Sequence, residues 1–151
     1  EKSVHVLPPD FPFASGKYWL SGGGMMVSTA LDYARLVQML LNGGELEGVR
    51  LLRPETVALM TRNHLPDALL PLPGGRAGYG HGLGVWVTLD HRAGDAHAGA
   101  FSGTGGHGTY FWADPRADLL GVLMLQRDPL PHKVHDAFRR AVYLTQENDM
   151  L

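Results

Sequence analysis

One run constrains this chain more than any other: Phe101-Ser102-Gly103-Thr104-Gly105-Gly106-His107-Gly108-Thr109-Tyr110-Phe111-Trp112-Ala113-Asp114-Pro115. Its first half is glycine and small hydroxyl residues, which let another group approach the backbone closely. Its second half, Thr109 to Trp112, is β-branched and aromatic and reads as a buried strand. Asp114-Pro115-Arg116-Ala117-Asp118 supplies turn chemistry, and Leu119 to Leu125 reads as a second buried strand. The run therefore predicts a hairpin whose first strand opens on a bare, glycine-rich edge. Such an edge is either a hairpin entry that needs positive φ angles or a row of peptide N–H groups offered to a substrate or an oxyanion. Composition alone leaves both open. Gly103 to Gly108 also spells G-x-G-x-x-G, but a dinucleotide site needs a strand before it and a helix after it. A strand and an Asp-Pro turn follow here, so the nucleotide reading is rejected.

Residues 1–17, with Pro8, Pro9, Pro12 and Gly16, predict an extended docking segment. Ser21 to Val27 reads as a flexible approach to a helix capped by Thr29, with Asp32 three residues on. Leu31, Ala34, Leu36, Val37, Leu40 and Leu41 keep helical spacing until Asn42-Gly43-Gly44 stops it. Glu45 to Leu52 predicts a tight turn with short extended arms, and Pro54-Glu55 starts a second helix carrying Val57, Leu59 and Met60. Asn63 to Gly78 predicts a long loop, Gly80 to Leu89 a strand, Asp90 to Ala100 a polar connection, and His132 to Thr145 a closing amphipathic helix. The sum is an α+β arrangement with three antiparallel strands. A sheet so thin, covered mainly by one helix, exposes an apolar face or edge, which points to a piece of something larger. The division falls at residues 1–78, an extended segment with helical parts, and 79–151, the strands and final helix.

Composition enters mainly by exclusion. With 44% hydrophobic and 19% charged residues, 151 residues can bury one core, so one domain or part of one is expected. A net charge of −2 without a basic cluster argues against nucleic acid or an anionic membrane as partner. No apolar run is long enough to span a bilayer. The absence of cysteine excludes disulfides and thiolate chemistry and fits either a reducing cytosol or a periplasm. The start at Glu1-Lys2-Ser3, without Met or a signal-like segment, reads as an internal cut. Among the histidines, His81, His91, His97 and His107 lack ligand spacing. His132 and His135 stand three apart without a carboxylate at a recognised offset, so neither metal nor cofactor is expected. Ser21, Ser28 and Ser102 sit outside any Gly-x-Ser-x-Gly elbow and read as capping or turn serines.

Several stretches together resemble the C-terminal half of the serine β-lactamase-related family: Ser21 to Arg35, Gln38 to Leu46, Arg50 to Val57, Gly80-His-Gly-Leu-Gly and Gly108-Thr-Tyr-Phe-Trp-Ala-Asp-Pro. That family comprises class C β-lactamases, D-alanyl-D-alanine carboxypeptidases and esterases of the same fold, and the likeness runs from about Phe11 to Val142. The resemblance implies the C-terminal part of a β-lactamase/transpeptidase-like fold and acyl transfer on an ester, β-lactam or amide. It implies a nucleophilic serine in S-x-x-K, a tyrosine in Y-x-N, and a third box of K/H-T-G or W-G-G on a strand edge. Gly103-Thr104-Gly105 falls on that third box, Gly106 on the N–H that would serve the oxyanion, and His107 beside them as a substrate contact. Gly103 departs from the Lys, His or Trp of the box and removes a cation that would meet a substrate carboxylate, which favours an ester or an unusual substrate. His97-Ala98-Gly99 is a second register for the box. No serine has lysine three residues on and no tyrosine is followed by x-Asn. The resemblance then implies that this chain is inactive alone and partners the upstream half of the same protein. The alternative is a non-catalytic binding module that kept the fold.

Overall fold

The computed structural model describes residues 27–72, 77–90, 95–127 and 132–149. The expected extended segment 1–17, the approach from Ser21 to Met26 and His91 lie outside them.

Helix α1 (Ala30–Leu41) begins where the sequence predicts. Thr29 Oγ1 accepts a hydrogen bond from the Asp32 N–H at 3.1 Å and donates to Asp32 Oδ2 at 2.9 Å, closing the first turn. It ends in a Schellman motif, with Gly44 N–H bonded to Met39 O and Gly43 N–H to Leu40 O. Gly44 has φ +98°, and a Cβ there would stand 2.2 Å from the Leu52 carbonyl, so no other residue fits. Strands β1 (Glu45–Leu46) and β2 (Val49–Arg50) join through Glu47 and Gly48, both at positive φ, as the predicted tight turn requires. Helix α2 (Pro54–Met60) starts on its proline.

The main sheet is antiparallel and runs in chain order: β3 (Tyr79–His81), β4 (Trp86–Thr88), β5 (Phe101–Thr104), β6 (Tyr110–Asp114) and β7 (Leu119–Leu123). The predicted central hairpin is β6–β7, with Trp112 opposite Gly121. The single strand expected over Gly80 to Leu89 folds back on itself as β3 and β4. Glycines make this turn possible: Gly84 has φ +83°, and a Cβ on Gly82 would lie 2.1 Å from the Met60 carbonyl. Phe101 to Thr104, expected as an edge leading into a strand, is itself a strand paired on both sides. The sheet has five strands where three were expected, because strands of three or four residues are too short to display a period-two pattern.

Helices cover both faces, which corrects the expectation of a sheet covered mainly by one helix. On one face Val87, Phe101 and Ala113 pack with Val37, Met39 and Leu40 of α1 and Val57 of α2. On the other, Ala100, Tyr110 and Trp112 pack with Phe138, Val142 and Tyr143 of the closing helix α3 (His132–Asp149). The expected exposed apolar surface is present elsewhere: Leu31 and Leu36 of α1 are 80% and 45% exposed.

Gly121 is the tightest point of the sheet, since a Cβ there would come within 1.8 Å of the buried Trp112 ring. Gly121→Ala should therefore cost about 3 kcal/mol of stability by forcing the indole off its site. Urea unfolding measures this, and an unchanged midpoint would show that the ring can shift freely.

Candidate active site

The glycine-rich run folds as the loop between β5 and β6. Gly105 N–H donates to Thr109 O at 2.9 Å and Gly108 N–H to Gly105 O at 3.0 Å. With Gly108 at φ +94°, this is a three-residue hairpin loop closed by a glycine bulge. Both readings of the edge thus have a physical basis, since Gly108 needs the left-handed conformation while Gly106 does not. A Cβ on Gly105 would lie 2.1 Å from Thr109 Oγ1, whereas one on Gly106 would meet nothing within 4 Å. Gly106 and His107 stand exposed at the tip, and Thr104 is exposed at the end of β5. The N–H groups of Gly106 and His107 donate to no group among the described residues. Any turn leaves its two central N–H groups outward, so what distinguishes this one is how firmly it is tied down. Arg127 N–H donates to His107 O at 2.7 Å, and the buried His135 ring donates from Nε2 to Gly108 O at 2.8 Å.

Gly103 lies in β5 opposite Phe111, whose ring would touch a Cβ there at 2.4 Å. Phe111 in turn packs on Tyr33 of α1, with ring centroids 5.3 Å apart. The space that a side chain at Gly103 would fill is therefore occupied by an aromatic ring from the neighbouring strand. His97-Ala98-Gly99 falls in the turn before β5, and His97 Nδ1 donates to Asp114 Oδ2 at 2.8 Å instead of facing the strand edge. Ser102 is buried in β5 across from Trp86 and Trp112, and Ser28 bonds the Thr29 carbonyl. Ser21 is outside the described residues. Among the described residues no three His, Asp or Glu side chains converge as a metal site would require.

A buried polar network that sequence reading did not find runs along β6, from Tyr110 beside the loop to Asp114 at the far end of the strand. Asp114, 0% exposed, accepts from the His97 amide and ring and from the Tyr143 hydroxyl on Oδ2, and from the Arg116 and Ala117 amides on Oδ1. Burial pushes its carboxyl up, and these bonds more than offset that, so its pKa lies below the usual carboxylate value. Burial and the bond to Asp114 together push the Tyr143 phenol well above its ordinary range. Arg139, 3% exposed, donates to Asp95 and to the Tyr110 hydroxyl, and Asp95 is likewise held low by that bond despite its burial. One signal was available: His135, Phe138, Arg139 and Val142 recur at i, i+3, i+4, i+7, which puts both polar residues on the buried face of α3.

The β-lactamase family model matches residues 1–145. The chain belongs to the β-lactamase family. Protein Rv1367c of Mycobacterium tuberculosis is 39% identical over 135 residues, 83% of this chain and 31% of that protein. The esterase/β-lactamase LipL of the same organism is 32% identical over 148 residues, 94% of this chain and 30% of LipL. This β-lactamase-family chain thus spans about a third of the length of the curated relatives it matches. Among solved structures, EstCE1, a hydrolase with promiscuous acyltransferase activity, aligns at TM-score 0.61 and 29% identity over 76% of this chain and 29% of its own. The simvastatin synthase LovD of Aspergillus terreus aligns at TM-score 0.60 and 24% identity over 75% of this chain and 33% of LovD, a likeness of fold. The mixed helices and antiparallel sheet match the C-terminal portion of the β-lactamase fold.

The depressed carboxyl of Asp114 gives a signed pH dependence. Its contribution to stability is complete above about pH 4, the unfolded value, and is lost as pH falls through the lower folded value. Asp114→Asn should cost about 3 kcal/mol at neutral pH and make the acid fall of Tm shallower. The fall should not vanish, because Asp95 retains its own depressed pKa. Melting curves from pH 7 down to pH 2 measure this, and parallel profiles for the two proteins would refute the assignment.

Proposed function

We propose that this chain is one wall of the active site of a serine hydrolase that transfers an acyl group from a neutral ester. The observation that carries the proposal is the β5–β6 loop, whose Gly106 N–H belongs to a turn tied down on several sides and follows directly on Gly103-Thr104-Gly105, the stretch that resembles the family's third box. A donor held in place before the reaction starts stabilises charge developing on a carbonyl oxygen without reorganising. Gly103, Thr104, Gly105 and His107 form the edge along which the substrate lies. The neutral-ester preference is supported by Gly103, where the Phe111 ring fills the place of a cationic or tryptophan side chain. Without that cation a β-lactam or peptide carboxylate has no partner at this position.

The nucleophilic serine with its lysine, and the tyrosine base, belong in this proposal to an upstream half of the same protein. Support comes from surface that would otherwise be wasted. Leu31, Leu36, Val49 and Leu51 are exposed, and an open groove of about 380 Å³ runs between α1 and the β1–β2 hairpin. Strand β7 pairs only with β6 among the described residues, leaving an apolar edge open.

The test is hydrolysis of a short-chain p-nitrophenyl ester and of a chromogenic cephalosporin, by the chain alone and joined to its upstream segment. The expected result is no turnover alone and ester turnover exceeding cephalosporin turnover when joined. Turnover by the chain alone would mean that it holds its own nucleophile, with Ser21 and Ser102 first to be replaced. No turnover by the joined protein would favour a non-catalytic binding module. In the active protein, Gly106→Pro removes the N–H and should lower kcat by roughly two to three orders of magnitude. Near-normal kcat in a folded variant would remove Gly106 from the oxyanion site.

A further inference from the structure

The tip of the β5–β6 loop is held from behind by one buried side chain whose role extends past packing. Gly108 is the joint of the loop, at φ +94°, a conformation glycine adopts and leaves easily. The peptide group on its N-terminal side is pinned by its N–H bond to Gly105 O at 3.0 Å. The peptide group on its C-terminal side is pinned by the His135 bond to Gly108 O at 2.8 Å. A glycine with both flanking peptide planes fixed has lost the rotation that would let the tip swing. His135 is itself immobilised: it is 3% exposed, and its ring stacks on Tyr110 at 4.7 Å and 9°. Tyr110 is held through its hydroxyl by Arg139, which bonds Asp95. Because the acceptor is a carbonyl, the ring must carry its proton on Nε2, and Nδ1 is buried without a hydrogen bond among the described residues. A ring with its only proton on Nδ1 would set two lone pairs against each other, so the bond to the loop requires the proton on Nε2.

We propose that His135 is a positioning residue for the oxyanion site: through Gly108 O it fixes the turn that aims the Gly106 N–H. This rests on the assignment of Gly106 made above and adds the group that orients it. His135 touches no substrate and acts only through the backbone. Its effect belongs in kcat more than in KM, since misaiming a donor by a fraction of an ångström weakens transition-state stabilisation and leaves ground-state binding nearly unchanged.

Two variants separate the hydrogen bond from the packing. His135→Phe keeps a flat ring to stack on Tyr110 and loses the donor, while His135→Gln carries a donor at about the reach of Nε2. In the protein joined to its upstream segment, His135→Phe should lower kcat for a short-chain p-nitrophenyl ester about tenfold or more. KM should change less than about threefold, and His135→Gln should recover most of kcat. In the 151-residue chain, amide exchange at Gly105 and Gly108 should speed up in His135→Phe and return towards the original rate in His135→Gln. If His135→Phe does not fold, His135→Gln against the unaltered protein still decides, since a donor restored with neither kcat nor exchange preserved contradicts the proposal. Unchanged exchange in His135→Phe overturns the anchoring whatever happens to Gly106. Lost kcat in Gly106→Pro with normal kcat in His135→Phe overturns the positioning role and leaves the oxyanion assignment standing. Normal kcat in Gly106→Pro removes the oxyanion assignment itself, and the positioning role with it.

Discussion

A single buried carboxylate holds the second layer of this protein together. Asp114 has no exposed surface, and a carboxylate in such a place is costly unless its lone pairs are all used. Here the donors come from three separated parts of the chain: His97 in the turn before β5, Arg116 and Ala117 in the turn after β6, and Tyr143 on α3. The same group that makes the Asp-Pro turn therefore also seats the closing helix on the sheet. Losing it would free the β4–β5 turn, the β6–β7 turn and α3 at once, which is why its charge state reaches the stability of the whole layer.

The position of α3 in turn determines what happens at the loop that faces outward. Tyr143 anchors the helix on Asp114, Arg139 anchors it on Asp95 and Tyr110, and His135 sits further towards its start, against Gly108 O. These three residues recur along one face of the helix, each engaging a different level of β6 or the loop before it. The result is an exposed turn with a stiff foundation. Exposed loops are ordinarily among the more mobile parts of a fold. This one has its polar groups tied on the inside and leaves the Gly106 N–H facing out.

Much of the fold was legible because the signals were local. Thr29 and Asp32 start α1 and the two glycines after Asn42 stop it, through hydrogen bonds spanning a few residues. Thr109 to Leu125 reads as a hairpin because both strands carry apolar runs flanking an Asp-Pro turn. The division of Gly80 to Leu89 into β3 and β4, and β5 as a strand of its own, were not legible. Their pairing depends on close approaches such as Gly80 to Asn63 and Gly82 to the Met60 carbonyl, which join residues far apart in sequence. The covering of both sheet faces was missed for the same reason, since an amphipathic helix does not announce which face of which sheet it will meet.

By itself the sequence determined the family, the caps and the turns, because each rests on residue types at short spacing. It also established that neither S-x-x-K nor Y-x-N lies within these 151 residues. Only the tertiary structure decided that Gly103 is glycine under the ring of Phe111 and that His97 belongs to Asp114 and not to the strand edge. It alone brought His135 to Gly108, 27 residues away. The physical reason is that hydrogen bonds and ring contacts between distant segments depend on where the segments pack, and packing is settled by the whole core at once.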